Sequence, residues 1–187
     1  LYIFDAKDNS QWMNFDAVST NMLRGSGTYT INSIYALNGK VYASSSSDGY
    51  GVNAIDFIND RSTNYDFNVT ERTHYVSTIS NRNAGSGHVA DSNIPAIIND
   101  SINDISVAVI NGKTYLAVAA GPASCIAGAC GGVSVINETD QTVVNVSFTS
   151  LADMRPKKTF ISDDGKLYVG DVDGNGHGWV QKFINIA

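Results

Sequence analysis

The sequence is short of charge. Only 16% of its 187 residues are Asp, Glu, Lys or Arg, against about 25% in an ordinary globular chain. Glutamate occurs only at Glu71 and Glu138. Strong helix formers are thin, which argues against long helices. Twelve basic residues against 18 acidic ones leave a formal net charge of -6. Cations scattered along an acidic chain do not make the basic footprint of a nucleic-acid binder, nor a patch for anionic lipid. No apolar run approaches the roughly 20 residues of a membrane-crossing helix, so no membrane insertion is expected. The two cysteines and three histidines offer no zinc-type spacing. Gly-x-Ser-x-Gly elbows, phosphate-binding Walker loops and His-Glu-x-x-His pairs are all missing. With so many Ser and Asp residues, His74, His88 and His177 single out no catalytic set. The sequence therefore predicts no enzyme.

Asn, Ser, Thr and Gly stand where the charge is missing, and these are turn formers. Between them run short apolar segments, 43% of the chain being hydrophobic. The combination predicts many short strands joined by polar turns, an all-β chain long enough to bury a core. The chain opens at Leu1 without an initiator Met or signal pattern, as expected of a processed or truncated chain.

Three segments share one pattern. Ile31–Ala43 contains Asn38-Gly39-Lys40-Val41-Tyr42; Ile102–Ala117 contains Asn111-Gly112-Lys113-Thr114-Tyr115; Thr159–Val169 contains Asp164-Gly165-Lys166-Leu167-Tyr168. Each reads as strand, tight turn, strand. Asn-Gly and Asp-Gly favour hairpins whose two central residues have positive φ. The Tyr at fixed offset is expected on the same face each time. A third strand follows at Gly51–Ile55, Gly132–Ile136 and Gly178–Phe183, and a fourth at Asn64–Phe67 and Thr142–Val146. Four antiparallel strands per unit is the make-up of a propeller blade. The units are about 28–67, 102–146 and 157–187 plus 1–15, within a single repeat domain covering 1–187. The last unit would be a blade shared between the termini, which closes a ring and removes exposed edges. The stretch 74–98 is a divergent blade or an insertion. The fold expected is a β-propeller or partial propeller of four-stranded antiparallel blades; the alternative is a β-sandwich with repeated hairpins.

Gly131-Gly132-Val133-Ser134-Val135-Ile136 with its polar turn and Thr142–Val146 resembles repeats in large structural proteins of marine tailed phages. So do Ile97–Ile105 and Asp163–Val169. The resemblance implies a tail, fibre or surface component, located in a virion or extracellularly. Its partners would be other structural subunits or a cell-surface receptor or glycan, within a larger assembly. It brings no catalytic residues and no cofactor.

Asp171, Asp173 and Asn175 match the first half of a calcium-loop pattern, with alternating oxygens and a turn-permitting Gly176. The acid expected twelve residues in is Lys182, so a plain Asp/Gly turn competes with calcium. Cys125 and Cys130 flank four residues, a span open to a small disulfide loop or to two free thiols. Trp179, Tyr50 and Trp12 are candidates for an aromatic floor under a sugar ring, against ordinary packing between sheets. The loops 81–95 and 120–132 interrupt the repeat and are expected to carry partner contacts. The function expected is thus a non-enzymatic structural or interaction module. A carbohydrate-binding module is the first rival, and a polysaccharide-acting enzyme the second.

Overall fold

Every long element is a strand. In the computed structural model, residues 1–25, 30–45, 50–85, 87–121, 131–147, 155–172 and 178–183 are described. They form four antiparallel sheets, each a meander of strands consecutive in sequence. The first is a hairpin of β1 (Tyr2–Phe4) and β2 (Gln11–Asn14). The second contains β3 (Ile31–Leu37), β4 (Lys40–Ser45), β5 (Val52–Asp56), β6 (Arg61–Tyr65), β7 (Thr73–Tyr75) and β8 (His88–Ala90). The third contains β9 (Ile102–Ile110), β10 (Lys113–Ala120), β11 (Gly132–Asn137) and β12 (Thr142–Ser147). The fourth contains β13 (Arg155–Ile161), β14 (Leu167–Val172) and β15 (Gly178–Phe183).

The hairpin turns follow from residues that tolerate a left-handed backbone. Asn38 and Gly39 have φ of 48° and 73°, and Asn111 and Gly112 have 51° and 77°. Both are two-residue turns in which each centre is left-handed. The third hairpin differs from the expectation. Only Gly165 is left-handed there. Ser162 closes a longer turn instead, donating its hydroxyl to Asp164 Oδ1 and accepting the Lys166 N–H at 3.1 Å. The fourth strand of this unit begins earlier than Asn64. Asp56 at the end of β5 accepts the N–H groups of Ile58 and Asn59 at 3.0 and 2.9 Å, so the chain reverses at once and Arg61 already pairs in β6.

The stretch 74–98 neither forms a sheet of its own nor leaves the second one. β7 and β8 extend that sheet to six strands, with a single 3-10 turn at Ile79–Asn81 between them. Nor, among the described residues, do 1–15 complete the fourth sheet: there β1 and β2 pair with each other.

Alternation along the strands gives each interior sheet two apolar faces. The hairpin and the second sheet enclose Phe15, Met22, Leu23, Ala43 and Ile55. The second and third enclose Tyr42, Val52, Tyr65, Ile102, Leu116 and Ile136. The third and fourth enclose Tyr115, Ala117, Val133, Ile161, Leu167 and Val169. The molecule is therefore a stack of sheets with its core in layers between them.

The first strands of the three larger sheets lie together, β9 packing against both β3 and β13. Side-chain amides join them. Asn32 donates Nδ2 to the Ile102 carbonyl at 2.9 Å, and Asn103, its counterpart one sheet on, donates Nδ2 to the Pro156 carbonyl at 2.9 Å. Asp104 on β9 accepts the Ser33 hydroxyl at 2.8 Å and the Thr159 N–H at 3.0 Å. One carboxylate thus ties three sheets.

Candidate functional site

Where the second and third sheets separate, they leave a cavity of about 370 Å³ lined by Lys40, Asp56, Arg61, Thr63, Tyr65, His74, Asp91, Asn93, Glu138 and Gln141, among others. Its floor is Glu138, which is buried just past β11. Tyr42 on β4 and Tyr65 on β6 donate their hydroxyls to Oε2 and Oε1 of Glu138 at 2.7 and 2.8 Å. Lys40 Nζ reaches Oε2 at 3.2 Å and Asp56 Oδ2 at 3.8 Å. Burial first, and the Glu138 carboxylate second, push both phenols far above their usual range. Burial also works against the Asp56 carboxylate. The amide and N–H of Asn59, Lys40 and the Ile58 N–H together still hold it below the usual range. Each buried charge in this floor thus has a local opposite charge or donor, as burial demands.

The rim holds a hydroxyl–imidazole–carboxylate chain. Thr63 Oγ1 lies 3.1 Å from His74 Nδ1, and His74 Nε2 lies 3.1 Å from Asp91 Oδ2. The connectivity is that of an activated nucleophile. Its origin is strand register: Thr63 and His74 are cross-strand partners, which interact by default. A Thr–His contact recurs one strand over, here between diagonal positions, since Thr73 pairs with Ala90 and His88 with Tyr75. Thr73 Oγ1 lies 3.0 Å from His88 Nδ1, with the Asn21 carbonyl 2.6 Å from Nε2 where the carboxylate would stand. Burial lowers the pKa of His88, favouring a neutral ring that bridges two polar partners. Both sets join neighbouring strands on the β6–β8 side of the second sheet.

A second polar centre lies around Arg24. The Arg24 guanidinium pairs with the Glu71 carboxylate, donates to the Glu71 carbonyl at 2.7 Å and sits 5.2 Å over the Tyr50 ring. Asp66, fully buried nearby, has its pKa raised to about 6. Burial is the main cause; the Asn68 N–H opposes it, and the charges of Asp100 and Glu71 add to it.

The aromatic candidates are spread through the stack. Trp12 is exposed and stacks on Phe57 at 5.8 Å, beside the first interlayer. Tyr50 sits under Arg24. Trp179 packs into the third interlayer. The structure brings no two of them together as one platform. Asp171 is buried on β14, while Asp173 and Asn175 lie outside the described residues, as do Cys125 and Cys130. Among the described residues no three His, Cys, Asp or Glu side chains are placed to hold a metal ion. No described helix is long and apolar enough to cross a membrane.

Glu138 and Lys40 escape a reading of the sequence, because Glu138 sits in what reads as a solvated turn. One signal pointed to the place. Tyr42 is the repeated tyrosine of the hairpin pattern, and a repeated, buried phenol requires a partner. No protein-family model matches this chain, and no curated protein is significantly similar to it.

Proposed function

We propose that the chain is an arc of propeller-type blades that serves as a non-enzymatic structural or interaction module of a virion or other extracellular assembly. The observation that carries this reading is the repeated amide link between first strands, Asn32 to Ile102 and Asn103 to Pro156. Such links join successive first strands side by side, as blades meet around an axis. A sandwich packs two sheets face to face and needs no such series. The two carboxylates of the cavity floor are held by Lys40, two phenol hydroxyls and backbone N–H groups, a fixed hydrogen-bonded junction that suits a rigid scaffold. Rigid layers with polar turns between strands are suited to displaying loops to a partner.

Size fractionation of intact source material, with peptides of the chain followed by mass spectrometry, tests the assembly role. The chain is expected to travel with a particle of many subunits. Recovery solely as a free protein near 19.9 kDa would overturn it.

The cavity favours a second reading, a carbohydrate-binding module. Arg61, His74, Asn93 and Gln141 line it with hydrogen-bonding groups beside the apolar edge of Tyr65, the mixture that sugar hydroxyls and ring faces require. A glycan array probed with the chain and with Arg61→Ala decides it. Binding lost in Arg61→Ala assigns the cavity. Binding kept there but lost in Trp179→Ala moves the sugar to the fourth sheet, and no binding by the unaltered chain removes the reading.

A further inference from the structure

Each interior sheet meets the next by one rule, and the two end sheets break it. Tyr42 follows the Gly-Lys turn of the second sheet and is buried against the third. Tyr115, in the same place in the third sheet, is buried against the fourth. Tyr168 holds that place in the fourth sheet, but the side chains facing the third sheet are its neighbours Leu167 and Val169. By alternation Tyr168 points the other way, to a face where Phe160 and Val180 remain 55% and 71% exposed. Phe160 pairs directly with Tyr168, Val180 lies opposite Gly170, and Lys182 Nζ sits 5.9 Å over the Tyr168 ring. This is the face that meets a following sheet elsewhere in the stack.

The hairpin at the other end has the reverse problem. Ile3 and Met13 pack onto the second sheet. Tyr2 and Phe4 alternate outward and are 62% and 57% exposed. That face is the one which, in the interior sheets, receives the sheet before it. Its surroundings are acidic: residues 1–16 hold Asp5, Asp8 and Asp16 against Lys7 alone. The described residues of the fourth sheet and its turn hold Arg155, Lys157, Lys158, Lys166 and Lys182 against Asp163, Asp164 and Asp171, the opposite balance, although Lys158 also reaches Asp104 of the third sheet at 3.5 Å.

We propose that these two faces dock on one another between copies of this chain, head to tail, the fourth sheet of one copy receiving the β1–β2 hairpin of the next. The inference rests on the layered-blade reading above and names its partner. Apolar sheet faces of this kind are what a partner covers. Opposite charge around them sets the pairing, because either face against itself would set like charges together. The contact joins two different patches, so it propagates from copy to copy into a ring or a filament rather than stopping at a symmetric pair.

Sedimentation velocity over a wide concentration range tests this on the full chain. The unaltered protein is expected to grow past twice its monomer mass as concentration rises. Val180→Glu spoils the fourth-sheet face and Phe4→Lys the hairpin face, and each alone is expected to stay monomeric. Mixed in equal amounts they retain one good face each, so they are expected to form dimers and nothing larger. Tyr2→Lys and Phe160→Glu repeat the experiment at independent positions, and an unchanged circular dichroism spectrum confirms each fold. Three results would overturn the docking: a monomeric unaltered chain, association that survives either substitution, or a mixture that stays monomeric. None of them touches the native-mass experiment, so the scaffold reading stands or falls separately.

Discussion

Glu138 is the residue on which the second and third sheets are joined. It accepts two phenol hydroxyls and a lysine in a buried setting. Glu138→Gln keeps the shape but replaces one acceptor with a donor, leaving a tyrosine hydroxyl facing an NH2 group and Lys40 short of a counter-charge. Removing one partner from a buried charged network typically costs about 3–5 kcal/mol, and the retained amide oxygen places this substitution near 2–4 kcal/mol. Urea unfolding reads the loss; a change below about 0.5 kcal/mol, the range of bland surface substitutions, would show that the carboxylate does not bind the layers. Asp66 is predicted to act in the opposite direction. Its folded pKa of about 6 lies above the ordinary value of 3.8, so the folded state binds the proton more tightly. The contribution of Asp66 to stability is then greatest below about pH 4, falls as pH rises to about 6, and is flat above. Asp66→Asn keeps an Oδ1 acceptor for the Asn68 N–H, now 2.8 Å from Asp66. It is expected to add about 1–3 kcal/mol at pH 7 and to remove that slope. Thermal unfolding from pH 4 to 8 measures both, and a slope retained in the variant would assign it to another group.

Elements obey the repeat down to single backbone positions. Gly51 and Gly132 each begin a third strand beside a fourth. A Cβ on Gly51 would lie 2.0 Å from the Tyr65 carbonyl oxygen, and one on Gly132 2.1 Å from that of Val146. Gly178 begins the third strand of the fourth sheet, where a Cβ would come no closer than 3.7 Å to the Asp171 oxygen. Gly51 also has φ of 46°. Gly51→Ala is therefore expected to cost about 2–4 kcal/mol from strain and overpacking, and Gly178→Ala to stay within about 0.5 kcal/mol of neutral. Equal costs at the two positions, measured by denaturant unfolding, would contradict the strand placement. The same repeat logic explains what was legible in the hairpins. Asn38-Gly39 and Asn111-Gly112 encode their turns locally, through residues that accept positive φ. Asp164-Gly165 carries the same dipeptide type, yet Ser162 redirects it through hydrogen bonds to Asp164 and Lys166. Asn32 and Asn103 sit at the same place in Ile-Asn-x-Ile, so their link was written in the sequence, but its meaning lies in a carbonyl 70 residues away in one case and 53 in the other.

At the scale of the molecule, the sheets contact chiefly their neighbours, so stability is distributed as in a layered repeat. The third sheet is covered on both faces, and β10 and β11 are its most buried strands. The hairpin and the fourth sheet are covered on one side only. Amide hydrogen exchange is expected to be slowest in β10 and β11 and fastest in β1, β2 and β15, since opening an end layer uncovers one interlayer and opening the middle uncovers two. Uniform protection across the sheets would mean a single cooperative unit in place of a stack.

By itself the sequence determined that this is an all-β chain, where its tyrosine-bearing hairpins turn, and which residues alternate toward an interior. Those properties depend on neighbours within a few positions, through φ preference and the two-residue period of a strand. The tertiary structure alone decided that 74–98 extends the second sheet, that 1–15 forms a layer of its own, and that Glu138 is a buried junction rather than a turn acid. Each of these depends on which distant segment lies opposite, and neither backbone preference nor strand period contains that information. The cavity has the same origin, since its walls come from strands of the second sheet, from the segment after β8 and from the turn after β11.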